Sequence, residues 1–309
     1  MKTVYLNNFM SSVVTELERN GQYSTAHVCG SVLRSVMTFD GDGLLLSGIT
    51  PLWLKAYEHY LLHKGEKGLE WNTISTYMRM LRAIYNRAVV RKLVPFVPHL
   101  FREVFTGRKA DHRGVLERDD MRQLLAEKDL DIISSGMEWA RACLELMFRF
   151  HGMPFVDLAH LRKSDLKDGY LTLRRRKTGM PLSARVDSRA MQLLERYRNR
   201  DDTSPYLLCF LDGSLEGMAA YRDYLRILRL LNSTLRALAL WRKVPGKVTS
   251  YTARHTWATA GKYCHIPIEI ISEGLGHASV TTTEGYMKGF GNSRMDRANK
   301  VIMNYIFES

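Results

Sequence analysis

The sequence predicts a mainly α-helical chain of two domains, the second carrying one small β-sheet. Three observations lead there. From the N-terminus to about residue 107 the apolar residues recur at helical spacing. Pro95, Pro98 and the polar, Gly-flanked run from Gly107 to Gly114 then break that pattern. Beyond the break, a single alternating hairpin from Tyr170 to Val186 sits among further helical segments.

In the first half, Tyr5 to Gly21 and Ser24 to Phe39 each read as an amphipathic helix, with Asp40-Gly41-Asp42-Gly43 as a turn. Thr50 then caps a helix that has Pro51 in its first turn and runs to Leu62. In the next helix, Asn72 to Leu93, one face carries Ile74, Tyr77, Leu81, Ile84, Tyr85 and Ala88. Another face lines up Ser75, Arg79, Arg82 and Asn86, which taken alone fits a solvated basic surface as well as a phosphate contact.

The predicted boundaries are a helical domain at 1–107, a basic linker at 108–115 containing Arg108 and Lys109, and a second domain at 116–309. Asp119 and Asp120 suit a helix N-terminus better than a metal site. Glu138 to Phe150 reads as an apolar helix, and Asp157 as the cap of the short helix after it. Tyr170 to Leu173 and Met180 to Val186 form the hairpin, and Arg174-Arg175-Arg176-Lys177-Thr178-Gly179 is its tip. Such a run of basic residues on a tip reads as an exposed backbone-binding patch. Helices follow at Ser188 to Tyr197 and Tyr221 to Leu240.

Composition narrows the partner. In 309 residues, 45 Lys and Arg against 32 Asp and Glu give a net charge of +13 and an isoelectric point near 9.6, which points to a polyanion. Cys29, Cys143, Cys209 and Cys264 are scattered without metal-ligand spacing, so neither a disulfide framework nor a zinc site is expected. The sequence shows no signal-peptide core and no apolar run near the roughly 18 residues of a membrane span, and the expectation is a soluble intracellular protein.

The chemistry concentrates between Ser250 and Met287. Ser250-Tyr251-Thr252-Ala253-Arg254-His255-Thr256-Trp257-Ala258-Thr259 is followed by Leu275-Gly276-His277 and, nine residues later, by Tyr286. Tyrosine is a poor nucleophile at its ordinary pKa of about 10, so a site that uses it must hold the phosphate with fixed donors. Arg254 offers a bidentate fork and His277 a further donor. Each residue alone is unremarkable, but A-R-H-T-x-A-T, then L-G-H, then a Tyr at that distance resembles the active-site boxes of the tyrosine recombinases, the phage integrase family.

That resemblance implies a helical core-binding (SAM-like) domain and a mostly helical catalytic domain with a small sheet. It implies strand cleavage by Tyr286 to a 3′-phosphotyrosyl link and rejoining without a cofactor, with Lys177 as general acid on the leaving 5′ oxygen. DNA contacts are expected from Arg79, Arg82, Ser75, Arg108, Lys109, Arg174, Arg175 and Arg176. The implied partners are double-stranded DNA bearing specific recombination sites, further copies of the chain in a tetramer, and an accessory DNA-bending protein. The implied location is the bacterial cytoplasm, at the nucleoid.

Two positions depart from the family pattern. Tyr251 stands where the H-x-x-R box begins with His, and Pro154 stands where the first arginine is expected. Arg149 and His151 are the neighbours that could substitute, and displaced first arginines resemble those of integrases and invertases from Bacteroides-like mobile elements. A slow or inactive relative is the alternative. Rival readings are a type IB topoisomerase and a non-catalytic DNA-binding protein of the same fold. Met295, Ala298, Val301, Ile302, Tyr305 and Ile306 make a near-helical stripe after Tyr286, which the resemblance implies docks on a neighbouring protomer.

Overall fold

The structure, a computed structural model, describes residues 3–107, 109, 114–127, 132–277, 279–285, 287, 289, 295–296, 299–301 and 303. The chain divides into two compact units, Met1–Ala110 with Leu215–Tyr221, and Asp111–Ser214 with Arg222–Ser309.

In the first unit, helices α1 (Leu6–Arg19), α2 (Tyr23–Asp40), α3 (Pro51–Leu62) and α4 (Trp71–Val90) surround one apolar core. α1 buries Leu6, Phe9, Met10, Val13 and Leu17, a stripe set by the 3.6-residue period. As the sequence predicts, the Thr50 hydroxyl accepts the Trp53 N–H at 3.1 Å and Pro51 opens α3, because its missing N–H is one that a first turn leaves unpaired. α4 buries Ile74, Met78, Leu81, Ile84, Tyr85 and Ala88 while Arg79 and Arg82 remain exposed on another face.

Ser75 departs from its expected role as a DNA contact. It is fully buried, and its hydroxyl donates to the Gly107 carbonyl at 2.5 Å. Asn72 grips the backbone N–H and C=O of Lys109, each at 2.9 Å. Ser75 follows Ile74 at the margin of the apolar face, where the returning segment covers it. The two residues therefore pin the chain that leaves this unit.

The second unit contains α5 (Arg118–Leu125), α6 (Ser135–Arg149), α7 (Phe155–Ala159), β1 (Leu166–Lys167), β2 (Tyr170–Arg174), β3 (Pro181–Arg185), α8 (Ser188–Arg196), α9 (Gly217–Trp241), α10 (Thr252–Tyr263), α11 (Ile268–Leu275) and α12 (Val280–Glu284). Its sheet is antiparallel in the order β1-β2-β3. Register pairs Leu171 with Ala184 and Leu173 with Leu182, and these four face the core, as period-2 alternation requires. The mainly helical class with one small sheet is the one the sequence predicts. β1, the sheet's third strand, is too short for alternation to signal.

α6 is the spine of this unit, with every residue from Ala140 to Met147 buried. Asp157 is not the cap of α7. Pro154 holds that position, and Asp157 is the third residue of the helix and buried. Among the described residues, no helix is long and apolar enough to cross a membrane and no cluster of metal-ligating side chains occurs.

Candidate active site

Three elements that are distant in sequence bring their side chains together around Arg254. Arg254 lies in the first turn of α10 and is only 5% exposed. Its Nη1 donates to the Gly152 carbonyl at 2.9 Å, and its Nη2 donates to the Leu275 carbonyl at 2.6 Å. Gly152 has φ +64°, and a Cβ there would stand 2.9 Å from the Arg254 Cα, so glycine is required both by conformation and by closeness.

α11 ends at Leu275, and Gly276 closes it in the left-handed conformation, φ 63° and ψ 43°. That turn delivers His277, whose Nε2 lies 2.8 Å from Arg254 Nη2 and whose Nδ1 lies 2.8 Å from the Thr283 hydroxyl. A guanidinium can only donate, so Nε2 accepts, and the imidazole proton sits on Nδ1 and is donated to Thr283. Burial, then the positive charges of Arg254, Arg175 and Lys177, push the His277 pKa down to about 4. The ring is therefore neutral near pH 7.

The hairpin supplies the third element, and here the structure corrects the expectation of a wholly exposed tip. Arg174, Arg176 and Lys177 are exposed, but Arg175 is 4% exposed and turned inward. Residues 171, 173 and 175 share one face of a strand, so Arg175 continues the inward phase of Leu171 and Leu173. Its N–H still pairs with the Met180 carbonyl at 2.9 Å. Its Nη2 donates to the Gly274 carbonyl at 2.9 Å, and Nη1 stands 3.6 Å from Asp157 Oδ2. Asp157 Oδ1 also accepts the Arg176 N–H at 2.9 Å, which ties the base of the loop carrying Lys177 to α7. Burial, then the Arg254 charge, lowers the Arg175 pKa to about 10, leaving it protonated at neutral pH.

The other expected residues make the following contacts. Arg149 extends its fork to Glu145 at 2.9 Å and Asp187 at 2.6 Å, and it lines a groove of about 1060 Å³ with Met121, Phe148, Trp257 and Tyr263. His151 has φ 56°, and its ring lies 5.6 Å from that of Trp257. Burial and the Arg175 charge lower its pKa, against the imidazolium that a phosphate clamp needs. Tyr251 is the N-cap of α10 and 47% exposed, with its ring beside His255. Lys109 sits over the Trp71 ring at 4.5 Å. Tyr286 and Arg108 lie outside the described residues.

Sequence reasoning missed Asp157 as the hairpin anchor and Thr283 as the partner of His277. Only the alternation phase of Arg175 was there to be read.

Similarity to known proteins follows the same layout. The model described as the phage integrase SAM-like domain matches residues 5–101, and that of the Phage integrase family matches residues 114–290. Tyrosine recombinase XerA of Pyrococcus furiosus is 31% identical over 140 residues, 44% of this chain and 46% of that protein, so the match spans about half of the relative. A lambda integrase dimer bound to a COC′ core site superposes with a TM-score of 0.65 at 17% identity, over 94% of this chain and 97% of that one. The Tn1549 transposon integrase in complex with transposon right end DNA gives 0.64 at 15% identity, over 96% and 98%.

Proposed function

Because the chain belongs to the phage integrase family, whose model matches more than half of it, we propose that it is a site-specific tyrosine recombinase acting on double-stranded DNA. Tyr286 gives its phenolic proton to water as its oxygen bonds to the scissile phosphate, the bond to the 5′ oxygen breaks, that oxygen departs with a proton from Lys177, and a 3′-phosphotyrosyl link remains. The 5′ hydroxyl of a partner strand then attacks that link and returns its proton to Lys177, while the departing phenolate takes a proton from water, restoring the phosphodiester and the tyrosine. The bond energy stays in the covalent intermediate, so no nucleotide is required.

The observation that carries this reading is the convergence of Arg254 and His277, 23 residues apart in sequence and 2.8 Å apart in space, beside the basic hairpin. A non-bridging phosphate oxygen is a stronger acceptor than an imidazole, so it displaces His277 Nε2 from Arg254 Nη2. Burial first, and the neighbouring positive charges second, hold the His277 pKa low; the anion opposes only the second cause, and in that direction it favours a proton on Nε2 that the ring can donate to the phosphate.

The first unit holds the duplex through Arg79 and Arg82, and exchange takes place within a tetramer in the bacterial cytoplasm. The test pairs a nicked suicide substrate with a two-site substrate. Covalent trapping together with recombination between the two sites supports the recombinase. Relaxation without exchange would identify a topoisomerase, and binding without trapping a non-catalytic protein.

A further inference from the structure

Pro154 offers the phosphate no donor, and a site with Arg254 as its only guanidinium would meet one side of the transition state. The pentacoordinate phosphorane carries one more negative charge than the diester, spread over oxygens that point in different directions. A second fixed cation is the missing part.

Arg175 has the features of that cation. It is drawn inside while its three basic neighbours stay outside, and it is as buried as Arg254. Its guanidinium lies against Gly276, where a Cβ would come within 2.2 Å of Nε, and it shares the electrostatic neighbourhood of Arg254 and His277. Among the described residues, Nε and Nη1 have no hydrogen-bond acceptor. The Asp157 contact at 3.6 Å balances charge but is too long to be a hydrogen bond. Anchoring the hairpin would need one donor for the Gly274 carbonyl and not a charged fork with two further N–H groups, since Asp157 already holds the Arg176 N–H. Two buried like charges that feel one another, one of them with two unmet donors, are stabilised by an anion that accepts from both arginines.

We propose that Arg175 is a catalytic residue that grips the scissile phosphate opposite Arg254, taking from the hairpin the place that Pro154 leaves empty. The inference rests on the cleavage reading above. It gives the basic tip a division of labour: Arg175 faces the reacting phosphate, Lys177 the leaving oxygen, and Arg174 and Arg176 the solvent side.

The test is single-turnover cleavage of a suicide substrate carrying either a phosphate or a methylphosphonate at the scissile position, the latter lacking one charged oxygen. Arg175→Ala should cleave the phosphate about 10² to 10³ times more slowly than wild type, as loss of one oxyanion donor does. On the methylphosphonate, where less charge needs neutralising, the deficit should shrink to about tenfold or less. A merely structural role would slow both substrates by the same factor, and that result overturns the proposal, as does cleavage of the phosphate within about threefold of wild type. If Arg175→Ala unfolds, Arg175→Lys decides: it keeps the charge but not the fork, and should lose at least about tenfold on phosphate and less on methylphosphonate. Equal rates for Arg175→Lys and wild type overturn the proposal. Wild-type protein that forms no adduct on either substrate overturns the cleavage reading, and this inference with it.

Discussion

Gly276→Ala probes the site without removing any of its functional groups. Gly276 has φ 63°, and a non-glycine residue there costs about 1–2 kcal/mol. For a unit of this size that lowers the melting temperature by roughly 2–8 °C, a modest loss. The larger consequence is local. A Cβ built at Gly276 falls 2.2 Å from Arg175 Nε and 2.6 Å from its Cδ. Ordinary contact between such atoms is about 3.5–4.0 Å, so the guanidinium must retreat by more than about 1 Å. A misplacement of that size costs on the order of 10² in rate. Single-turnover cleavage should therefore fall about 10²-fold while DNA affinity, measured by gel shift at fixed salt, stays at the wild-type value. A variant that melts as expected and cleaves within about threefold of wild type would refute the placement of Arg175 in the reacting site.

Thr283→Val removes the acceptor of the His277 Nδ1 proton, so cleavage should drop about tenfold while Thr283→Ser, which keeps the hydroxyl, stays near wild type; equal rates for Val and Ser would remove Thr283 from the account. His160 and His277 are both held at about 4, mainly by burial, against an ordinary 6.5. Between those values the unfolded chain binds protons that the folded chain refuses, so stability is intact above about 6.5 and declines as pH falls toward 4. Urea melts across that window should show the decline, and His160→Gln should make it shallower. Replacing both Arg79 and Arg82 by Ala should lower the slope of log affinity against log salt by up to about two units, each phosphate contact being worth ~0.9. An unchanged slope would mean that this face of α4 points only at solvent.

The helical pattern was legible because each long helix buries a stripe at its own period, and Thr50 with Pro51 marked a start that the structure reproduces. The boxes around Arg254 and His277 were legible as motifs, since the residue types and their order carry the chemistry. The role of Arg175 was not legible. Four adjacent basic residues read as one exposed patch, and only the strand phase through Leu171 and Leu173 separates the one that turns inward. Asp157 looked like a cap because it stands near a helix start, and its two contacts with the hairpin are 18 and 19 residues away in sequence. Ser75 shared a helical face with Arg79, but periodicity along one helix says nothing about the segment that returns to cover it. Tertiary contacts decided all three.

The proposed function turns on a covalent bond between Tyr286 and DNA. A suicide substrate that loses its 5′ end on cleavage traps that bond, and digestion followed by mass spectrometry identifies the tyrosine that carries the nucleotide. Wild type is expected to carry the adduct on the peptide containing Tyr286, and Tyr286→Phe is expected to bind the same DNA with unchanged affinity and to form no adduct. An adduct that persists in Tyr286→Phe, or one mapped to another side chain in wild type, would contradict the account.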